Sequence, residues 1–152
     1  MKDLKSKILV SLLKLINHIF SKVGLDIPPV VGVCAIIKKG EKILAIKLSY
    51  RNGLALPGGR LNREESLEKG VAREIKEETG ATVKKLSYNQ SFALKKDNLV
   101  GLNVCFDVEL ENYNNLNSSD EGEPVWVTPA EFVKRSAYKD NAMIVKRHFN
   151  IL

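Results

Sequence analysis

The sequence is poor in the residues that mark several common classes of protein. It has two cysteines, two histidines and one tryptophan among 152 residues. Cys34 and Cys105 each lie in an apolar run, which indicates two small buried thiols of a reduced protein, with a single disulfide between them as the alternative. His18 and His148 are isolated and lack the spacing of metal ligands. A disulfide scaffold and a histidine-rich metal site are therefore excluded.

The chain also lacks concentrated charge and low-complexity segments. No block of five or six like charges occurs, and no basic motif interleaved with aromatic residues indicates a single-stranded nucleic acid. The net charge of +6 raises the local concentration of phosphate-bearing anions. Apolar residues make up 44% and charged residues 28%, as in ordinary globular proteins. We expect one cytoplasmic domain that does not bind nucleic acid stably.

The first 23 residues are predicted to form an amphipathic helix. They contain too many charges to span a bilayer, and no small-residue cleavage site marks them as a signal peptide. The helix is expected to pack on the domain or on a second subunit, which would make a homodimer. It is basic on its polar face, so an anionic membrane surface is a second partner, and an uncleaved targeting role is a third. The apolar stripe is Leu4, Ile8, Leu12, Leu15, Ile16, Ile19 and Val23.

Residues 24–29 read as a linker, and residues 30–152 as one domain. Strands are predicted at 30–39 and 42–48, followed by a short strand that begins at residue 54 and by a loop around 57–59. Ser66 and Gly80 are expected to cap a helix over 67–79. Two long strands are predicted over 81–94 and 98–110, and a short strand over 124–127. One helix is expected from 128 onward and a last helix within 141–152. This order predicts an α+β fold or an α/β sandwich.

The predicted helix over 67–79 gathers acidic side chains beside its apolar stripe. Leu67, Val71 and Ile75 share one face at about 100° per residue. Glu74 and Glu78 border that face, and Glu77 lies further round. Half-buried carboxylates without a partner are costly, and a hard cation such as Mg²⁺ removes that cost. Gly70, on the same side, is expected to leave room for an ion or a phosphate. A surface salt-bridge network with Arg73 and Lys76 is the alternative.

The residues around this helix carry a specific motif. Gly59 is followed after five residues by Glu65, and after seven more by the run REIKEETGA, which ends at Ala81. This resembles the Nudix box of the Nudix hydrolases at every spacing, with Ala81 smaller than the usual aliphatic residue. The preceding LPGG and the later VWVTPAEF also look like this family, so the resemblance extends loosely over residues 30–134.

The resemblance implies an α/β/α sandwich with a central mixed sheet and hydrolysis of a nucleoside diphosphate linked to another group. It implies that Mg²⁺, or Mn²⁺ in its place, is bound by the Gly59 carbonyl and by Glu74, Glu77 and Glu78. Glu74 or Glu77 is the implied general base. The resemblance also implies that Arg73 orients the catalytic glutamates and that Glu65 holds the loop. Gly80 is expected to be a structural glycine.

Residues outside the motif complete the predicted site. A later acidic loop often supplies a base or a further metal ligand in this family, and of Asp120, Glu121 and Glu123 we favour Glu123. Substrate phosphates are expected to meet Arg51, Arg60 or Lys47. Asn141, in the segment KDNAMIVK, resembles the residue that reads a purine base in MutT-type enzymes, and its alternative role is to cap the last helix.

The substrate is less well specified. The proline of ADP-ribose hydrolases and the tyrosine of dinucleoside polyphosphate hydrolases are both missing at the positions where those subfamilies carry them. We therefore expect a Mg²⁺-dependent enzyme that acts on nucleoside triphosphates ahead of nucleotide sugars. Two other interpretations stay open. One is a peripheral membrane enzyme that acts on lipid-linked diphosphates, and the other is a nucleotide sensor that does not hydrolyse its ligand.

Overall fold

The computed structural model describes residues 11–12, 15–16, 18–20, 22, 30–96 and 99–152. Between residue 30 and the C-terminus it contains seven strands and three helices in the described part of the chain. In order these are β1 (Val30–Lys39), β2 (Lys42–Leu48), β3 (Leu54–Ala55), β4 (Gly58–Arg60), α1 (Leu67–Thr79), β5 (Val83–Lys96), β6 (Leu99–Leu110), β7 (Gly122–Val127), α2 (Pro129–Arg135) and α3 (Lys139–Phe149).

The strands form one mixed sheet. The order is β3-β2-β1-β6-β5, with β4 also paired to β1 and β7 to β2. β1 and β6 run parallel, from the pair Val30 and Gly101 to the pair Ile37 and Val108. The remaining pairs are antiparallel. The first half of β1 pairs with β4 and its last two residues pair with β2, so β1 joins the two halves of the sheet.

Helices cover both faces of this sheet, because β1 is apolar on both sides. Val33, Ala35 and Ile37 pack in the same cluster as residues of α1. Cys34 and Ile36 point the other way, into a cluster with residues of α2 and α3. A strand that is buried on both faces has a continuous apolar sequence, and the VVGVCAII of β1 is such a sequence. The predicted sandwich of helices around a mixed sheet is confirmed.

Most predicted boundaries agree with the structure, and the differences concern residues 58–60 and the start of the last helix. β1, β2 and α1 have the expected bounds, and both cysteines are free and buried. Residues 58–60, expected in a loop, form β4, because they pair with β1. The last helix begins at Lys139, before Asn141, and Tyr138 occupies its N-cap without a side-chain hydrogen bond. Asn141 therefore does not cap that helix.

The described residues before residue 23 are helical, as the amphipathic pattern predicts. Four of their five apolar side chains are exposed and that of Ile16 is partly buried; Leu15, for example, keeps 56% of its surface in contact with solvent. Packing of this face on the domain, which we expected, is not seen for these residues. The other residues of the expected stripe, and the linker over 24–29, lie outside the described residues. No helix among the described residues has the length and apolarity needed to cross a bilayer.

Candidate active site

Local signals determine where α1 begins and ends. The Ser66 hydroxyl accepts a hydrogen bond from the Lys69 N–H, at 3.3 Å, and so satisfies one free donor of the first turn. Gly80 follows the helix in the left-handed conformation, with φ of 71°, and donates its N–H to the Lys76 carbonyl. These caps set the register of the helix and therefore decide which side chains face the sheet.

The register buries two of the three box glutamates. Val71 and Ile75 are fully buried, and beside them Glu74 and Glu78 are only 8% and 5% exposed. The side chain of Glu77 is 59% exposed. The acidic patch therefore borders the apolar stripe, as the helical spacing predicted, and two carboxyl groups leave bulk water.

Strand β4 brings two glycines against this acidic patch. The Gly58 N–H donates to Glu78 Oε2, at 2.8 Å. Gly58 has φ of 148°, and a Cβ there would lie 2.2 Å from the Val33 carbonyl oxygen. A Cβ on Gly59 would lie 2.4 to 2.7 Å from the carboxyl group of Glu74. At Gly59 only glycine allows the backbone to approach the Glu74 carboxyl group this closely, and at Gly58 only glycine fits against β1.

Arg73 ties the acidic residues together. Its Nε and Nη2 donate to the two oxygens of Glu65, at 2.9 and 3.0 Å, which is the bidentate geometry that suits a guanidinium. Its Nη1 donates to Glu74 Oε1 at 2.9 Å and to Glu77 Oε2 at 3.1 Å. Its Nη2 also donates to the Arg60 carbonyl, at 2.9 Å. One side chain thus links the loop after β4 to two box glutamates.

Glu65 is held as a carboxylate by these bonds. The hydrogen bonds from Arg73 and from the Asn62 N–H lower the pKa of Glu65 to about 2.

The neighbouring Gly70 has a different role from the one we expected. A Cβ on Gly70 would lie 2.2 Å from Leu61 Cδ2 and 3.3 Å from Glu65 Oε2. Gly70 therefore makes room for the loop that carries Glu65, and not for an ion or a phosphate.

Glu78 shows that the site is short of positive charge. Burial raises the pKa of Glu78 to about 8, although the Gly58 N–H opposes the shift. Burial also raises the pKa of Glu74, and the Arg73 guanidinium opposes that shift. The charge of Glu121 raises the pKa of both residues, so Glu121 contributes to the same negative field. A buried carboxyl group with a raised pKa and a nearby acidic cluster is typical of a functional site.

Glu121, at the end of the acidic loop, and Glu123, in β7, have different surroundings. The Ser49 hydroxyl donates to the carbonyls of Asp120 and Glu121, at 2.7 and 3.1 Å, and the Ser49 N–H donates to Glu121. This ties Glu121 to the end of β2. Glu123, our favoured candidate, pairs across the sheet with Lys47 at 4.0 Å, and its side chain is 62% exposed. The charge of Glu121 acts on the buried glutamates, and sequence reasoning considered this residue but ranked it below Glu123.

The predicted substrate-binding residues lie on different elements. Arg60 ends β4 and is exposed, and its carbonyl accepts from Arg73. Arg51 Cζ lies 5.0 Å from the centre of the Tyr138 ring, over its face. Asn141 is 8% exposed, and its Oδ1 accepts from the Leu56 N–H at 2.9 Å. Asn141 therefore connects α3 to the turn that leads into β4.

Sequence reasoning missed Tyr50. The Tyr50 and Tyr138 hydroxyls lie 3.2 Å apart, and Tyr50 is 64% exposed. The hydrogen bond with Tyr138 raises the pKa of Tyr50 to about 12, and the charges of Glu121 and Glu78 add to the shift. Tyr50 is therefore an exposed aromatic side chain near the acidic residues. No motif could have revealed it, because its position depends on how the loop after β2 meets α3.

The residues present suit a hard divalent cation. The carboxylate oxygens of Glu74 and Glu78 are donors of the kind that Mg²⁺ prefers, and Glu78 accepts one hydrogen bond although it is nearly buried. Among the described residues, no three carboxyl, imidazole or thiol groups converge as a metal site. Mg²⁺ commonly uses few carboxylates and takes waters and substrate phosphates as its other ligands.

Comparisons with known proteins agree with this geometry. The sequence matches the family description NUDIX domain over residues 26–148. It is 47% identical over 62 residues to the ADP-ribose pyrophosphatase of Methanocaldococcus jannaschii, covering 39% of this chain and 37% of that protein. It is 32% identical over 102 residues to a MutT-like protein of Streptomyces ambofaciens, covering 67% of this chain and 65% of that protein. The chain therefore spans less than two thirds of these curated relatives.

The fold is also found among solved structures. The crystal structure of a MutT protein from Methanosarcina mazei superposes with a TM-score of 0.68 and 25% sequence identity. The match covers 84% of this chain and 99% of that chain. The described fold thus has a counterpart among solved structures.

Proposed function

This chain is a member of the Nudix hydrolase family, and we propose that it hydrolyses the pyrophosphate bond of a nucleoside diphosphate that is linked to another group. The observation that carries this proposal is the pair of buried box glutamates, Glu74 and Glu78, with the glycine backbone of β4 against them. Such a pair needs a cation, and a cation held there has a diphosphate as its natural further ligand.

We assign the ion as Mg²⁺, with Mn²⁺ as a substitute, held by the Gly59 carbonyl and by the box glutamates 74, 77 and 78. Bound there, the ion would neutralise charge on the diphosphate oxygens and lower the pKa of a bound water. Arg73 keeps Glu74 and Glu77 oriented through its shared Nη1. One of these two carboxylates takes the proton of the attacking water.

Glu121 is the proposed acidic residue of the later loop, in place of Glu123. Its charge acts on Glu74 and Glu78, whereas Glu123 lies close to Lys47. Replacing each residue by glutamine gives a matched comparison, because both changes remove one charge from an exposed side chain and the two positions are only two residues apart. We expect Glu121→Gln to lower kcat or metal affinity and Glu123→Gln to leave both near normal. The reverse order would restore the assignment of Glu123.

Nucleoside triphosphates are our preferred substrates, ahead of nucleotide sugars. Two of the proteins that resemble this chain are named MutT or MutT-like, and a third is named ADP-ribose pyrophosphatase. Asn141 lies in the first turn of α3 and faces the turn before β4, so it is close to the catalytic backbone. Arg51 and Arg60 are exposed cations on neighbouring segments and are suited to phosphate oxygens.

The test is a screen of nucleoside triphosphates, ADP-ribose and nucleotide sugars with Mg²⁺ or Mn²⁺, in which products are identified by mass. We expect cleavage between two phosphates, and loss of turnover in Glu78→Gln. Glu68→Gln is the matched control, since Glu68 is an exposed glutamate on the same helix. Turnover by Glu78→Gln equal to that of the parent protein would contradict the proposal. Tight nucleotide binding without product would indicate a sensor instead.

A further inference from the structure

The N-terminal segment presents an apolar surface that the domain does not cover. Leu12, Leu15, Ile19 and Phe20 are helical and are 51%, 56%, 52% and 38% exposed. Their spacing of three, four and one residues puts them on one broad face of a helix, together with Ile16. We call these five residues the N-terminal apolar face. Side chains of this size are usually buried, so a cluster of them in contact with solvent indicates a binding surface.

Helices already lie against both faces of the central part of the sheet. α1 packs on one face of the sheet, and α2 and α3 pack on the other. Ser11, His18 and Lys22, which are the described polar residues of the segment, are exposed as well. The described part of the segment therefore has solvent on both its polar and its apolar sides.

The charge of the segment indicates what covers the face. The first 23 residues contain five lysines and one aspartate, a net charge of +4, whereas the whole chain has a net charge of +6. Most of the positive charge is thus concentrated in the segment that carries the exposed apolar face. A second copy of the chain would bring two such basic segments together, which like-charge repulsion opposes. An anionic lipid surface provides both an apolar layer and the opposite charge.

We propose that the N-terminal apolar face binds the surface of a bilayer that contains anionic phospholipids. The helix lies in the interface, with Leu12, Leu15 and Ile19 among the acyl chains and the lysines among the phosphate groups. The segment would hold the catalytic domain at the membrane surface. This inference goes beyond the proposed function, because no residue of the catalytic site takes part.

The test is co-sedimentation of the full chain with vesicles of phosphatidylcholine, with or without phosphatidylglycerol. We expect binding to the vesicles that contain phosphatidylglycerol, much weaker binding to pure phosphatidylcholine, and release as salt increases. Replacing two apolar side chains, in Leu12→Ser with Ile19→Ser, should weaken binding by roughly tenfold or more, since each buried side chain contributes substantially to partitioning.

The matched control is Asn17→Ser with His18→Ser, which introduces two serines on the face that the sequence pattern predicts to be polar. It should bind like the parent chain. Hydrolase activity toward a soluble substrate should be unchanged in both double variants, so failure of this proposal is distinct from failure of the proposed function. Parent chain that stays in the supernatant with anionic vesicles would overturn the proposal. So would equal binding by the Leu12→Ser and Ile19→Ser variant, or a dimer in light scattering that this variant dissociates without any vesicle binding.

Discussion

Among the side chains of the site, Glu78 has the least support for its negative charge. It is 5% exposed and accepts one backbone hydrogen bond, from Gly58. Glu74, which is almost as buried, has Arg73 as an ionic partner. Burial, which the Gly58 N–H opposes without help from an ionic partner, raises the pKa of Glu78 to about 8, well above its ordinary value of 4.5. A bound cation would therefore stabilise the negative charge of Glu78 more than that of any other carboxyl group of the site.

This pKa predicts how stability depends on pH when no metal is bound. Between pH 4.5 and 8, folded Glu78 retains a proton that the unfolded chain has lost, so stability falls as pH rises through this window. The slope approaches about 1.4 kcal/mol per pH unit for one proton. Urea unfolding in EDTA at several pH values measures it.

The control for this measurement is Glu78→Gln, which has no proton to lose at that position. The free energy of unfolding of this variant should change less between pH 4.5 and 8. Glu65 does not contribute to the slope in this window, because its pKa is about 2. Equal slopes in the parent protein and the variant would show that Glu78 does not hold a proton in the folded state.

Arg73 acts through the carboxylates it contacts. Removing its side chain in Arg73→Ala frees Glu65, Glu74 and Glu77 from a shared partner, so we expect kcat to fall by roughly 10- to 100-fold. Arg135→Ala is the control, because Arg135 is half-exposed and pairs only with Glu131 among the described ion pairs. A normal kcat in Arg73→Ala would contradict an orienting role.

At the scale of elements, the site depends on how closely β4 approaches α1. The strand pairs with β1 and passes in front of the buried side of the helix, with glycine at both positions that meet a glutamate. A single added methyl group on Gly59 would overlap the Glu74 carboxyl group, while the backbone of Gly59 itself has no positive φ. The spacing between the two elements therefore determines where the carboxylates lie.

Gly59→Ala should accordingly impair catalysis more than folding. Displacing the Glu74 carboxyl group is expected to reduce kcat on the order of a hundredfold. Gly40→Ala gives the opposite result, since a Cβ at Gly40 would meet nothing within 4 Å but its φ of 58° is unfavourable for alanine. It should lose about 1 kcal/mol of stability and keep its activity. Steady-state kinetics and thermal unfolding of both variants would decide, and normal activity in Gly59→Ala would refute the argument.

At the scale of the whole molecule, the proposed ion connects distant parts of the chain. Gly59 belongs to β4, the glutamates belong to α1, and Glu121 lies in the loop held by Ser49 at the end of β2. A ligand that binds these segments only when they are assembled stabilises the entire fold. The proposed metal would therefore contribute to stability as well as to chemistry.

Saturating Mg²⁺ should raise the midpoint of thermal unfolding. An ion at about 100 times its Kd adds about 2.7 kcal/mol, which corresponds to about 5–10 °C for a chain of this size. Differential scanning calorimetry with Mg²⁺ or EDTA measures the shift. Glu78→Gln should respond much less, and an equal rise in the variant would place the ion elsewhere.

The sequence alone was sufficient to predict α1 and the residues it buries. Its caps, Ser66 and Gly80, and its 3.6-residue spacing are local properties, and they place Glu74 and Glu78 beside Val71 and Ile75 whatever the rest of the chain does. The apolar run of β1 likewise predicted a strand covered on both faces. The box spacing identified the family before any contact was known.

Only the tertiary structure decided which residues meet across the site. In the folded chain residues 58–60 form a strand, and Leu61 occupies the space beside Gly70. The charge of Glu121 acts on Glu78, whereas Glu123 lies close to Lys47. The tertiary structure also left the N-terminal apolar face without a partner on the domain. These outcomes depend on pairing between segments far apart in the chain, and such pairing follows from the packing of the whole sheet, which local patterns do not encode.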